Sequence, residues 1–185
     1  MNAPNVASLI RSFNDPSDGA ALKSLELILM ILACSPNPFS RAQFTPGHIT
    51  STGLVLAADG ERLLMVYHRR LDRWLLPGGH VEPDDAEIWD TAQREVEEET
   101  GAQLATSAIP VLAGLDVHGI PAGKGEPYHL HHDIVFHFRA EGDQTRLSPE
   151  SRAIAWCAPA EFDRYAVPDN VRLAYARMRK LSSGR

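Results

Sequence analysis

The chain has 185 residues, enough for one domain with a substantial core, and its 44% hydrophobic and 23% charged content is ordinary for a globular protein. A formal net charge of -6 argues against a nucleic-acid partner, which would call for a basic face. The longest apolar run, Leu27–Cys34, is too short to span a bilayer, and no basic segment followed by an apolar stretch opens the chain.

These exclusions leave a cytoplasmic protein as the expectation. Cys34 and Cys157 lie far apart in apolar surroundings and form no Cys-x-x-Cys pair, so two buried free thiols are expected and a zinc-cysteine site is not.

Residues 1–35 read as helical, with Leu22, Leu25, Ile28, Leu29 and Leu32 on one apolar face. Pro36 and Pro38 end this arm, and the proline-rich stretch Ser35–Gly47 reads as a surface connector. The division expected is a helical extension and connector over 1–46 and a main domain over 47–185. The helices should cover the sheet or form a homodimer contact, since an apolar face of that size seldom stays bare.

The main body starts with a strand at Ile49–Ala57, a hairpin turn at Asp59-Gly60 and a returning strand at Arg62–His68. Trp74–Leu76 is a short apolar piece that runs into Pro77-Gly78-Gly79, read as a tight turn. A helix follows over Glu87–Thr100, with Asp84 as its N-cap, Glu87 as the capping-box partner and Gly101 as its stop. Strands are expected at Val111–Ile120, His129–Ala140 and Ala153–Cys157, a helical turn at Pro159–Phe162 and a closing helix at Asp169–Leu181. Strands and helices mixed in this order predict an α/β sandwich around a mixed β-sheet.

Charge is unevenly placed. Between Glu82 and Gly101 stand nine acids (Glu82, Asp84, Asp85, Glu87, Asp90, Glu95, Glu97, Glu98, Glu99) against one base, Arg94, so the segment sums to -8. Such a run is usually a solvated helix face. The spacing here says otherwise. At about 100° per residue, Ile88, Trp89, Ala92 and Val96 form a core-facing stripe. Glu95 and Glu99 fall on its border, Glu98 lies beside them and Glu97 points to water. Three carboxylates at one edge of a packed helix repel one another unless a cation neutralises them, and a hard divalent ion with oxygen ligands suits that set. Magnesium keeps positions open for substrate phosphates, which fits phosphoryl chemistry.

The string Gly78-Gly79-His80-Val81-Glu82 through Arg94-Glu95-Val96-Glu97-Glu98-Glu99-Thr100-Gly101 resembles the Nudix box, following a strand and opening a helix. The second half of the pattern is matched completely, with Ala102 as the final apolar residue. The first half departs from it. One extra residue separates Gly79 from Arg94, so the family's first glutamate falls on Asp85 counting forward and on Ala86 counting back; Asp85 is the favoured assignment.

The resemblance implies a Nudix-type α/β/α sandwich and a magnesium- or manganese-dependent pyrophosphohydrolase. It implies that Glu98 and Glu99 bind metal and that Glu95 binds metal or helps activate water. Arg94 is implied to orient the glutamates, and a carbonyl of the Gly78-Gly79 pair to ligate the ion. The substrate class implied is a nucleoside diphosphate linked to a further moiety. Many members use another acid from a later loop: Glu150 is best placed, with Glu126 and Asp133 as rivals, and for any one of them an ordinary surface acid is the competing reading.

Weaker signals surround the box. His129, His131 and Asp133 share one strand face, with His132 on the other, and could line the substrate pocket or reach a second metal. His80 lies close to the chemistry by its place in the string. His68, Arg69, Arg70 and Arg73 are candidates for substrate phosphates or a solvated basic hairpin. Trp74, Trp89 and Trp156 read as packing residues. Two other functions compete: a non-catalytic nucleotide-sensing module, whose signature would be loss of the glutamates, and an isopentenyl diphosphate isomerase-like enzyme, which would need a cysteine near the box.

Overall fold

The computed structural model describes residues 1–105, 109–123 and 125–183. Helices α1 (Ala3–Ile10) and α2 (Gly19–Cys34) precede strand β1 (His48–Leu56). Three short strands follow: β2 (Leu63–His68), β3 (Arg73–Leu75) and β4 (Gly78–His80). Helix α3 (Ile88–Thr100) leads to β5 (Val111–Ile120), β6 (His129–Arg139) and β7 (Ser151–Cys157). A 3-10 turn at Pro159–Glu161 and helix α4 (Asp169–Ser183) close the chain.

The sheet is mixed, because β1 runs parallel to β6 while every other pairing is antiparallel. One edge of β1 is divided between two partners. β2 pairs with it at Leu56 and β4 at Thr50–Thr52. β2 itself lies between β3 and β7, so the sheet splits along that edge.

Strand alternation builds a core on each face. Ile49 and Val55 of β1 join residues of α1, α2 and α3, including Ile10, Ile28, Ile88 and Val96. Leu54 and Leu56 face the opposite way, onto Ala174, Tyr175 and Met178 of α4. The result is the expected α/β/α sandwich.

The N-terminal arm comprises the two helices α1 and α2. Asp18 interrupts it and accepts a hydrogen bond from the Ala21 N–H at 3.0 Å, the N-cap of α2. Arg177 of α4 pairs with Asp15 and with the buried Asp18, each at 2.8 Å, and its guanidinium stands 4.9 Å from the Phe13 ring centre. The arm is thereby tied to the last helix, and its apolar face covers the sheet. Cys34 departs from expectation: it is exposed, at the last turn of α2, whereas Cys157 is buried.

Two further corrections concern the approach to α3. Pro77-Gly78-Gly79 is not a turn, since Gly78–His80 is strand β4, and neither glycine has a positive φ. Asp84 does not cap α3. The N-cap is Glu87, whose backbone N–H donates to the Asp90 carboxylate at 2.8 Å, while Asp84 is exposed. Gly101 does end the helix, with a left-handed φ of 63°.

The arm should contribute to global stability. Ile28 is fully buried on α2. Ile28→Ala should lower the free energy of urea unfolding by about 2–4 kcal/mol. A loss under about 0.5 kcal/mol would mean that the arm packs only loosely.

Candidate active site

Helix α3 carries the carboxylates because its apolar stripe is pinned to the sheet. Ile88, Ala92 and Val96 are fully buried, and Trp89 packs edge-to-face on Phe136 at 6.2 Å. That rotation leaves Glu99 at 7% exposure and buries most of the Glu95 side chain. Glu98 stands largely in solvent beside them, and Glu97 points to solvent and accepts from Gln93.

β4 lies directly against these acids, and this explains its glycines. The Gly78 N–H donates to Glu99 Oε2 at 3.2 Å. A Cβ on Gly79 would sit 2.4 Å from Glu95 Oε1, and one on Gly78 would sit 2.4 Å from Thr52 Oγ1 and 2.8 Å from its Cα. Close approach, not turn geometry, requires both residues.

Arg94 organises the cluster. Its guanidinium contacts Glu95 at 3.0 Å, Glu98 at 3.3 Å and Asp85 at 3.1 Å, and donates to the His80 carbonyl at 2.8 Å. Asp85 is buried and also accepts from the Glu82 N–H at 2.9 Å and from Thr91 Oγ1 at 2.7 Å. The insertion is therefore absorbed before α3, and Asp85 is the acid that meets Arg94. Burial opposes its ionisation, but Arg94 and these donors hold its pKa below the usual carboxylate value.

The other two buried acids behave oppositely. Burial, reinforced by the neighbouring Glu95 charge, pushes Glu99 up to about 8. Glu95 is raised too, by burial that its contact with Arg94 only partly offsets. Two carboxylates with too little positive charge around them form a site suited to a hard cation. Glu150 is exposed, and its negative charge raises both. Its carbonyl accepts from the Arg69 N–H at 3.1 Å.

Glu126 is engaged elsewhere, with Arg41 at 3.6 Å and Arg70 at 3.5 Å. The basic candidates are dispersed. The Arg69 guanidinium reaches the Ser151 carbonyl at 3.4 Å, and Arg73 is exposed.

The remaining candidates lie on the face of the sheet opposite α3. Asp133 is buried and accepts from Thr50 Oγ1 and Thr52 Oγ1, each at 2.9 Å, and burial raises its pKa. His129, His131 and His80 gather there with two histidines that sequence reasoning missed, His48 and His118. The missed signal was period-two alternation: His48, Thr50 and Thr52 share a face of β1, and parallel pairing sets His48 beside His131 and Thr50 beside Asp133. Of the expected packing tryptophans, Trp74 meets Tyr67 and Tyr165 edge-on, and Trp156 packs half-buried while donating to the Asp143 carbonyl.

The sequence pattern of the NUDIX domain matches residues 47–178. The chain belongs to the Nudix family. It is similar to a MutT-like protein of Streptomyces ambofaciens, with 32% identity over 68% of this chain and 73% of the relative. A Bacillus subtilis (strain 168) protein named provisionally as an 8-oxo-dGTP diphosphatase is 28% identical over 64% of this chain and 72% of that protein. In fold it resembles a C. elegans Ap4A hydrolase, with a TM-score of 0.53, 18% identity and coverage of 74% of this chain and 98% of that one. This Nudix protein is a pyrophosphohydrolase, a diphosphate-cleaving enzyme of a family that generally uses divalent metal. Among the described residues, no helix is long and apolar enough to cross a membrane.

The raised Glu99 gives a pH dependence with a defined sign. In chelator the folded chain holds this proton up to about 8, whereas the unfolded chain releases it near the ordinary value of 4.5. Between those values the folded state binds more protons, so its stability falls as pH rises. Thermal unfolding in EDTA should show wild type losing stability relative to Glu99→Gln across this window. Parallel pH profiles for the two proteins would contradict the assignment.

Proposed function

We propose that the chain hydrolyses a nucleoside diphosphate linked to another moiety, with Mg2+ or Mn2+ held by Glu95, Glu98, Glu99 and a Gly78 carbonyl, and with Glu150 completing the set. The observation that carries this reading is the pair of buried, under-neutralised carboxylates, Glu95 and Glu99, packed against β4. The pair offers carboxylate oxygens, with Glu98 beside them on the same helix, and hard divalent cations prefer such ligands. When bound, the cation neutralises phosphate charge as the bond breaks.

The protein groups supply the rest. Arg94 fixes the rotamers of Glu95 and Glu98 and is itself held by Asp85. Glu95 takes a proton from the water that attacks phosphorus, and the bridging oxygen leaves with the departing phosphate. Gly79 keeps the carboxylate side of β4 free of a side chain. The same reading treats residues 1–46 as an extension of a hydrolase domain spanning 47–185.

Candidate substrates are oxidised or canonical nucleoside triphosphates, ADP-ribose, dinucleoside polyphosphates and nucleotide sugars. Support comes from the names of similar proteins, which include an 8-oxo-dGTP diphosphatase, an Ap4A hydrolase and the Nudix domain of Shewanella oneidensis NrtR complexed with ADP ribose. An isomerase chemistry would need a thiol at the site. Cys157 belongs to the α4-side core and Cys34 lies at the end of α2, and neither is placed among the α3 carboxylates.

The test is a substrate panel assayed with Mg2+ and Mn2+, following phosphate, pyrophosphate and monophosphate. Glu98→Gln, at an exposed position, should keep the fold and reduce turnover about 100-fold or more. Wild-type rates from this variant would overturn the reading. Ligand binding without turnover by wild type across the whole panel would favour a sensing module instead.

A further inference from the structure

Five of the chain's eight histidines converge on the face of the sheet opposite the α3 carboxylates. His131 stands at the centre, with ring centres of His48 at 4.9 Å, His80 at 5.2 Å, His129 at 5.2 Å and His118 at 5.7 Å. Strands β1, β4, β5 and β6 each contribute, so the cluster is built by sheet pairing rather than by one run of sequence.

The ring nitrogens show what the cluster lacks. His48 is 1% exposed, and its Nδ1 lies 3.0 Å from the Gln43 carbonyl. A carbonyl only accepts, so Nδ1 carries the proton and Nε2 presents a lone pair. That Nε2 is buried and has no hydrogen-bond partner, and the Nε2 of His131 is in the same state. Two buried ring nitrogens left unpaired and facing a third imidazole are costly unless a partner lies between them. One ligand nitrogen from each of His48, His80 and His131 falls within 4.8 Å of the other two. Donors around a tetrahedral zinc are about 3.3 Å apart, given Zn–N bonds near 2.0–2.1 Å, so modest ring rotations close the set.

We propose that His48, His80 and His131 form a transition-metal site, of zinc type, separate from the carboxylate site on α3. Imidazole donors suit zinc and its neighbours and are poor ligands for magnesium. Burial leaves the three rings neutral at neutral pH: His80 falls to about 4, His131 to about 2, and His48 is lowered. No proton must therefore be displaced for them to bind an ion. The Gln43 carbonyl supplies the outer hydrogen bond that fixes a ligating histidine and its tautomer.

A fourth position remains for His129 or a water. His129 Nδ1 lies 2.8 Å from the Pro127 carbonyl, which likewise leaves its Nε2 as the free acceptor. The site also touches the hydrolytic centre through β4. His80 supplies a ligand nitrogen on one face, while its carbonyl accepts from Arg94 on the way to the carboxylates.

The experiment uses the full chain without a polyhistidine tag, loaded with Zn2+ and dialysed against metal-free buffer. Elemental analysis should find about one zinc per chain in wild type and in Glu98→Gln, and under about a tenth in His131→Ala and His48→Ala. Co2+ loading should give the intense visible absorption of a four-coordinate ion in wild type and Glu98→Gln and not in the histidine variants. Far-UV circular dichroism and thermal unfolding in chelator check that the variants fold. His80→Asn, at a half-buried position, serves the same purpose should a buried variant fail. Wild type that retains no zinc, or histidine variants that fold and retain it fully, would overturn the proposal.

Discussion

Two carboxylates are buried where ordinary folding would not leave them. Glu95 and Glu99 sit on the border of the α3 stripe because Ile88, Ala92 and Val96 lock that helix to the sheet. Their mutual repulsion and lost hydration are met on the protein side by Arg94, by one backbone N–H from Gly78, and by little else. Other features of the site follow from this constraint. Arg94 reaches the acids only because Asp85 grips it from the loop before α3. β4 can pass alongside only because Gly79 carries no side chain to strike Glu95.

The sheet then separates two kinds of chemistry. On the α3 face, oxygen donors crowd together with too little positive charge. On the α4 face, neutral imidazoles crowd together with unpaired lone pairs. β4 is the wall between them, with Gly79 turned to Glu95 and His80 turned to His48 and His131. Alternation along a strand only three residues long thus brings hard and borderline donors to opposite faces of the same backbone.

How much of this was legible in the sequence depended on distance along the chain. Helix α3 was readable because its stripe, its acids and Gly101 are local. The ends of most strands fell within a residue or two, since alternation and turn residues are local too. Asp84 shows where that fails. Counting offered Asp85 for the family's glutamate and Asp84 for the cap, but hydrogen bonds to Glu82, Thr91 and Arg94 decide Asp85, and Glu87 takes the cap. The Gly78-Gly79 pair looked like a turn because glycine tolerates many conformations. Its actual cause, the proximity of Glu95 and Thr52, exists only once β4 pairs with β1 and α3 packs beside it. His48 was invisible for the same reason: it lies 83 positions before His131, and only the parallel β1–β6 register joins them. The break before α2 falls on the turn-favouring run Asn14-Asp15-Pro16-Ser17-Asp18, and it is held by Arg177 from the far end of the chain.

The most direct test of the central claim is Mn2+ binding, followed by electron paramagnetic resonance with the metal-free full chain. The account predicts that wild type takes up Mn2+, that Glu99→Gln weakens it at least about tenfold, and that His131→Ala leaves it unchanged. Equal Mn2+ affinity in wild type and Glu99→Gln would show that the buried carboxylates are not the cation site, and the account would fail at its base.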